Sequence, residues 1–97
     1  MVLQYCDEPL VNTMADILFG NSYDGSAKLV FEHVQYGEFD SAVSLFTGKV
    51  EKHNITVPRK VYGELLSCYS LDPQDLNYSP DMYADVKAIE EAGLVED

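Results

Sequence analysis

Glycine and proline divide this chain into short segments, and their spacing limits how long each helix or strand can be. The breaks fall at Gly20, Gly37, Gly48, Pro58, Pro73, Pro80 and Gly93. With 97 residues in all, the chain has the size of one domain and no room for a second. No apolar run approaches the roughly 20 residues that a membrane-spanning helix needs. We therefore expect one domain over residues 1–97, built from short elements.

The first segment repeats its apolar residues at helical spacing. This pattern predicts a helix over residues 9–19, followed by a surface loop over residues 21–26, where turn-forming residues cluster. The apolar stripe of the helix comprises Leu10, Met14, Ile17 and Leu18.

Two glycines separate the next part of the chain into three runs of similar length. The runs cover residues 28–36, 39–47 and 49–57, with Gly37 and Gly48 at the breaks. Short runs joined by tight turns are typical of antiparallel strands. This region therefore predicts a three-stranded antiparallel meander.

The middle run also fits a helix. Asp40 would cap its start, and Val43, Phe46 and Val50 would form its apolar face. Gly48 would then lie in the helix interior, where glycine costs about 1 kcal/mol relative to alanine. That cost favours the strand.

A fourth segment begins at Pro58, whose missing N–H is harmless in the first turn of a helix. The helix predicted here ends before residues 72–73, and a polar linker over residues 74–77 follows. Its apolar face comprises Val61, Leu65, Leu66 and Tyr69.

The last helix is delimited at both ends by its own residues. Ser79, Pro80 and Asp81 have the order of N-cap, first-turn proline and first-turn acid, and Gly93 closes the far end. The buried stripe comprises Met82, Val86 and Ile89, with Leu94 packed just beyond the cap. The predicted fold is therefore α+β, in the order α-β-β-β-α-α, with the helices on one face of the sheet.

Acidic residues outnumber basic ones 17 to 6, which leaves a net charge of −11. A field of this sign repels nucleic acid and anionic membranes and attracts basic surfaces, although it can also serve solubility alone. Cys6 and Cys68 show no metal-binding or redox spacing, and no secretory signal precedes them. We therefore expect a cytoplasmic protein with reduced thiols.

No motif for catalysis or metal binding is present in the sequence. The carboxylates do not follow the pattern of a calcium loop, and Cys6, His33, His53 and Cys68 are too dispersed for a zinc site. No oxyanion motif accompanies Cys68, and no glycine-rich phosphate loop occurs. We expect no enzyme activity, no cofactor and no bound metal.

The acids are segregated toward the two ends of the chain, and the last helix carries a row of them. Asp81 and Asp85 lie one turn apart, about 6 Å along the axis, and further acids continue beyond them. Partly exposed tyrosines among acids suit a protein interface. The predicted partner-binding residues are Asp75, Tyr78, Asp81, Tyr83, Asp85, Glu90 and Glu91.

In size, charge and lack of catalytic residues the chain resembles the small acidic phage proteins that disable bacterial defences, in particular anti-CRISPR proteins that mimic DNA. The resemblance is one of character and involves no shared motif. It implies an inhibitor that occupies the DNA-binding face of a type I-F CRISPR-Cas surveillance complex and blocks target DNA binding. The partner would then be a basic nucleic-acid-binding complex, with no direct nucleic-acid binding and no membrane association.

Two other functions fit the same features. An immunity or antitoxin protein that neutralises a basic nuclease toxin would need a similar charge, and a small structural or regulatory phage protein could be acidic for solubility alone. An exposed edge of the predicted sheet also offers a route to a homodimer.

Overall fold

The protein is mainly helical in the computed structural model, which describes the backbone of residues 8–96 and the side chains of residues 9–96. Within this range it has five helices and two strands of two residues each. In chain order they are α1 Glu8–Gly20, α2 Asp24–Gln35, α3 Phe39–His53, β1 Val57–Pro58, α4 Arg59–Ser67, α5 Pro80–Glu91 and β2 Val95–Glu96. The predicted α+β fold with a three-stranded antiparallel meander is therefore wrong.

Three predicted helices are confirmed with small changes at their ends. They are α1, α4 and α5, whose buried residues include most of the predicted apolar stripes. Pro58 precedes α4 as its N-cap, and Pro80 opens α5. These helices were predictable because glycine or proline at a helix end coincides with an apolar stripe in each.

The first predicted strand is part of α2. The buried residues there are Ala27, Val30 and Val34, spaced three and four apart, which is the period of a helix. Leu29 and Phe31 are exposed, although they are apolar. Because these two residues are also apolar, the helical spacing of the buried residues was obscured, and the segment was interpreted as a strand.

The second predicted strand belongs to α3, so the helical alternative was correct. Val43, Phe46 and Val50 are fully buried on one face of α3. Gly48 lies in the helix interior on an exposed position, and a Cβ added there would meet no atom within 4 Å. The packing of three large side chains outweighs the intrinsic penalty of one glycine.

The third predicted strand is split between two elements. Its first half continues α3 to His53, and only Val57 and Pro58 form a strand. That strand pairs in parallel with β2, in the register Val57↔Val95 and Pro58↔Glu96. The pairing joins the start of α4 to the segment after α5.

Four helices in the described part of the chain end in the same way, with a left-handed residue just past the helix. The backbone N–H of the residue that follows then donates to the carbonyl five positions earlier, as Glu38 does to His33 at 2.7 Å. This Schellman arrangement satisfies carbonyls that the helix leaves open. The left-handed residues are Ser22, Gly37, Asn54 and Gly93.

The helices pack around a single core to which all five contribute. Turns of three residues join α1 to α2 and α2 to α3, so each pair forms an antiparallel hairpin. Helix α2 packs between α1 and α3, and α5 packs against α3 and α4. The largest fully buried side chains are Phe46, Met14, Leu18, Leu65 and Ile89.

Cys68 is buried just after α4 and is disulfide-bonded. The prediction of a reduced thiol is therefore wrong for this residue. Cys6, the other cysteine of the chain, lies outside the described residues. Among residues 8–96, no helix is both long and apolar enough to cross a membrane.

Candidate protein-binding face

Helix α5 has one buried face and one exposed face, and the exposed face is acidic. Val86 and Ile89 are fully buried, whereas Asp81, Asp85 and Glu91 are exposed. At 3.6 residues per turn, Asp85 lies about 40° to one side of Asp81 and Glu91 about 80° to the other. We call these three residues the acidic face.

Two alanines lie among the carboxylates of the acidic face. Ala84 is exposed and Ala88 is half-buried, and both fall within the same sector of the helix. Their short side chains leave the surrounding carboxylates accessible. Lys87 is the single base of α5, and its ammonium is directed to Glu90 at 2.8 Å. The acidic face therefore carries three negative charges with no base of its own helix among them.

Glu90 lies on the opposite side of α5 from Asp81 and is engaged within the protein. Its Oε1 accepts hydrogen bonds from Lys87 Nζ at 2.8 Å and from the Tyr62 hydroxyl at 3.2 Å. Its Oε2 lies 3.7 Å from Arg59 Nη1. Tyr62 and Arg59 belong to α4, so this predicted partner-binding residue links α5 to α4.

The same contacts shift the titration of the groups that make them. The hydrogen bond from Lys87 and its positive charge lower the pKa of the Glu90 carboxyl, and the hydrogen bond from Tyr62 adds to this effect. The pKa of Lys87 is raised by the same bond and by the charge of Glu90. Burial raises the pKa of Tyr62, and its hydrogen bond to Glu90 raises it further.

Substitution of Glu90 by glutamine is expected to weaken the dependence of stability on acid pH. The folded-state pKa of the Glu90 carboxyl is below its ordinary value of 4.5. The contribution of Glu90 to the stability of the fold is therefore fully present above pH 4.5 and is lost as the pH falls through the folded-state pKa. Urea unfolding at pH 7 and at pH 3 should show Glu90→Gln less stable than wild type at pH 7, with a smaller difference between the two proteins at pH 3.

Glu91→Gln is the matched control, since it removes the same charge one position away on the exposed side. It should leave the pH dependence close to that of wild type. An equal effect of the two substitutions would show that net charge, and not the contacts of Glu90, controls the response.

The segment before α5 is a closed loop over residues 70–79. Ser70 and Tyr78 form an isolated bridge, the N–H of Ser70 donates to the Asn77 carbonyl at 3.0 Å, and the N–H of Ser79 donates to the Ser70 carbonyl at 3.0 Å. Ser79 is also the N-cap residue of α5. The loop is therefore held together at its base and is continuous with the helix that carries the acidic face.

Two aspartates order the inside of this loop. Asp72 Oδ1 accepts from the backbone N–H of Gln74 at 2.9 Å, and Asp75 Oδ1 accepts from that of Asn77 at 2.8 Å. Such turns mimic backbone turns and are local in origin. The polar linker predicted for residues 74–77 is thus part of an ordered loop and contains one exposed acid, Asp75.

The structure separates the predicted partner-binding residues into two groups. Those on the exposed surface of the loop and α5 are Asp75, Tyr78, Asp81, Asp85 and Glu91. Tyr83 packs against the core and is half-buried, and Glu90 faces α4. For the residues of α5, the side of the helix on which a residue lies decides whether it is exposed or packed. The predicted buried stripe is sufficient to assign that side.

Two exposed apolar residues on the loop were not among the predicted partner-binding residues. Leu71 is 56% exposed and Leu76 is 97% exposed. The sequence signal for this exposure is that a segment rich in turn formers has no apolar residues at helix or strand spacing with which a leucine could be buried. With Tyr78, they are three exposed apolar side chains on a loop that also carries exposed aspartates.

Both histidines have local contacts. His33 Nδ1 lies 3.2 Å from Glu38 Oε1, and the His53 ring stacks on Tyr23 with 4.4 Å between ring centroids. Within residues 8–96, no three His, Cys, Asp or Glu side chains come together in a way that could hold a metal ion.

No protein-family model, curated protein or solved structure matches this chain. The features that bear on function are the acidic face of α5 and the ordered loop beside it, both on a small helical domain.

Proposed function

We propose that this protein binds a basic nucleic-acid-binding protein or complex through the acidic face of α5 and excludes the nucleic acid from it. The observation that supports the proposal is the arrangement of Asp81, Asp85 and Glu91 on one exposed helix face without a base among them. The carboxylates are attached to a helix whose other face is packed into the core, so their spacing is fixed before binding.

A groove built to hold phosphates can also hold fixed carboxylates. Lys and Arg bind both groups through charge-assisted hydrogen bonds. Duplex DNA presents one negative charge per about 1.7 Å of axis, and the acidic face also presents successive charges along one axis. The net charge of −11 would speed the encounter with a basic groove over long distances.

The particular partner that we propose is a type I-F CRISPR-Cas surveillance complex, whose binding to target DNA would be blocked. Support for this choice comes from the resemblance in size and charge to small acidic anti-CRISPR proteins. The protein would act in the cytoplasm of the bacterial host, without a catalytic step and without a cofactor.

Reversal of two charges on the acidic face should abolish this activity. The double substitution Asp81→Lys and Asp85→Lys is expected to lower the affinity for the purified surveillance complex by at least about a hundredfold, because close charge pairs at interfaces contribute about 1.5–7 kcal/mol each. The measurement is competition with a labelled target duplex for the complex, at low and at high salt.

The control carries the same change in net charge elsewhere. Asp16 on α1 and Glu51 on α3 are both exposed, and changing both to lysine shifts the net charge by the same amount. This variant should bind nearly as well as wild type at physiological salt. Equal losses in the two variants would mean that net charge alone drives binding, and failure of the wild-type protein to displace the duplex would exclude this partner.

A further inference from the structure

We infer that the loop of residues 70–79 is the apolar anchor of the interface and inserts Leu76 into an apolar pocket that Lys or Arg residues border. This inference rests on the proposed function and adds the chemistry of the partner surface. The acidic face would set orientation and the rate of encounter, whereas the loop would set the lifetime of the complex.

The first observation is the exposure of three large apolar side chains on one short loop. Leu76 is 97% exposed, Leu71 is 56% exposed and Tyr78 is 46% exposed. Single exposed apolar residues are common on protein surfaces and need no explanation. Three on one short closed loop are a local concentration of exposed apolar side chains, which is typical of an interaction site.

The second observation is that the loop is already ordered in the free protein. The bridge between Ser70 and Tyr78 closes its base, and the side chains of Asp72 and Asp75 hold its turns. An ordered loop loses little conformational entropy on binding, so more of the energy of burying Leu76 appears as affinity.

The third observation is the charge around the apolar residues, which identifies the occupant. Asp72 and Asp75 are exposed on the same loop, and Asp81 follows in the first turn of α5. A purely apolar partner surface would leave these carboxylates desolvated and unpaired, which is unfavourable. The pocket that fits Leu76 is therefore apolar in its centre and basic at its border, in the pattern of a buried anchor with a polar rim.

A random peptide library provides a probe that requires no knowledge of the natural partner. The full-length protein is immobilised, and a phage-displayed library of peptides is selected on it. We expect enriched peptides that combine an aromatic or aliphatic residue with flanking Lys or Arg. Their affinity should fall at least about tenfold in the Leu76→Ser variant, as for a truncated hot-spot residue. Because Leu76 is almost fully exposed, this variant should fold as wild type does.

Leu29→Ser is the matched control, since it makes the same chemical change on α2, at a leucine that is 43% exposed. It should change peptide affinity less than about twofold, a loss too small for a hot-spot residue. Enrichment of no peptide, or of peptides that bind both variants as well as wild type, would overturn the inference.

The two proposals can fail separately in this experiment. If Asp81→Lys with Asp85→Lys weakens the basic peptides while Leu76→Ser does not, the loop is not the anchor and the acidic face remains supported. If Leu76→Ser weakens them while the charge reversal and added salt do not, the anchor is confirmed and the electrostatic function is contradicted.

Discussion

Replacement of Phe46 by alanine is expected to lower the free energy of unfolding by about 3–5 kcal/mol. Phe46 is fully buried in α3, the helix that packs against both α2 and α5, so truncation of its ring leaves a cavity in the core. Small domains have a total stability of about 5–15 kcal/mol, and the variant should therefore be close to unfolding. Urea denaturation followed by circular dichroism at 222 nm gives the measurement.

Phe31→Ala is the control for the loss of a phenyl ring. Phe31 lies on α2 and is 45% exposed, so its removal should cost no more than about 1.5 kcal/mol, roughly half of what a fully buried ring contributes. A loss at Phe46 as small as that at Phe31 would mean that α3 does not pack at the centre of the domain.

Gly48→Pro should be strongly destabilising although Gly48 is exposed. Gly48 lies inside α3, where proline removes a backbone hydrogen bond and its ring clashes with the carbonyl of Ser44, at a cost of about 3 kcal/mol or more. In a tight hairpin turn, as in the predicted meander, Gly48 would have positive φ, which proline and other L-residues rarely adopt. Proline is therefore unfavourable in both folds, and substitution by alanine is the change that distinguishes them.

Gly48→Ala should have the opposite sign. An added Cβ meets no atom within 4 Å, and alanine is better than glycine in a helix by about 0.8–1.0 kcal/mol. Paired thermal unfolding curves of the two variants provide the comparison. A proline variant as stable as wild type, or an alanine variant that is destabilised, would contradict a continuous α3.

Neighbouring residues of α5 differ in their contacts and exposure in ways that composition does not reveal, and the proposed function depends on these differences. Glu90 and Glu91 are adjacent and identical in type, yet Glu90 accepts hydrogen bonds from α4 and α5 whereas Glu91 is exposed. Charge reversal at Glu91 should therefore affect partner binding, while substitution of Glu90 affects the fold. Counting acids along the chain would have treated the two as equivalent.

The sequence by itself determined the features that depend on residues within about one turn of each other. These include the starts and ends of α1 and α5, the start of α4, the net charge, and the left-handed helix end at Gly93. Gly37 was correctly placed at a break but was interpreted as a turn between strands. A glycine with positive φ ends a helix as readily as it forms a turn, so the residue alone does not distinguish the two.

Only the tertiary structure decided the conformation of residues 28–57 and the roles of the residues around α5. Apolar and β-branched residues there are compatible with both a strand and a helix, and the choice is made by which of them a neighbouring element covers. Val30, Val34 and Phe46 are covered by other helices, while Leu29 and Leu76 are not. Burial is a property of the packed chain, because it depends on contacts between residues far apart in sequence.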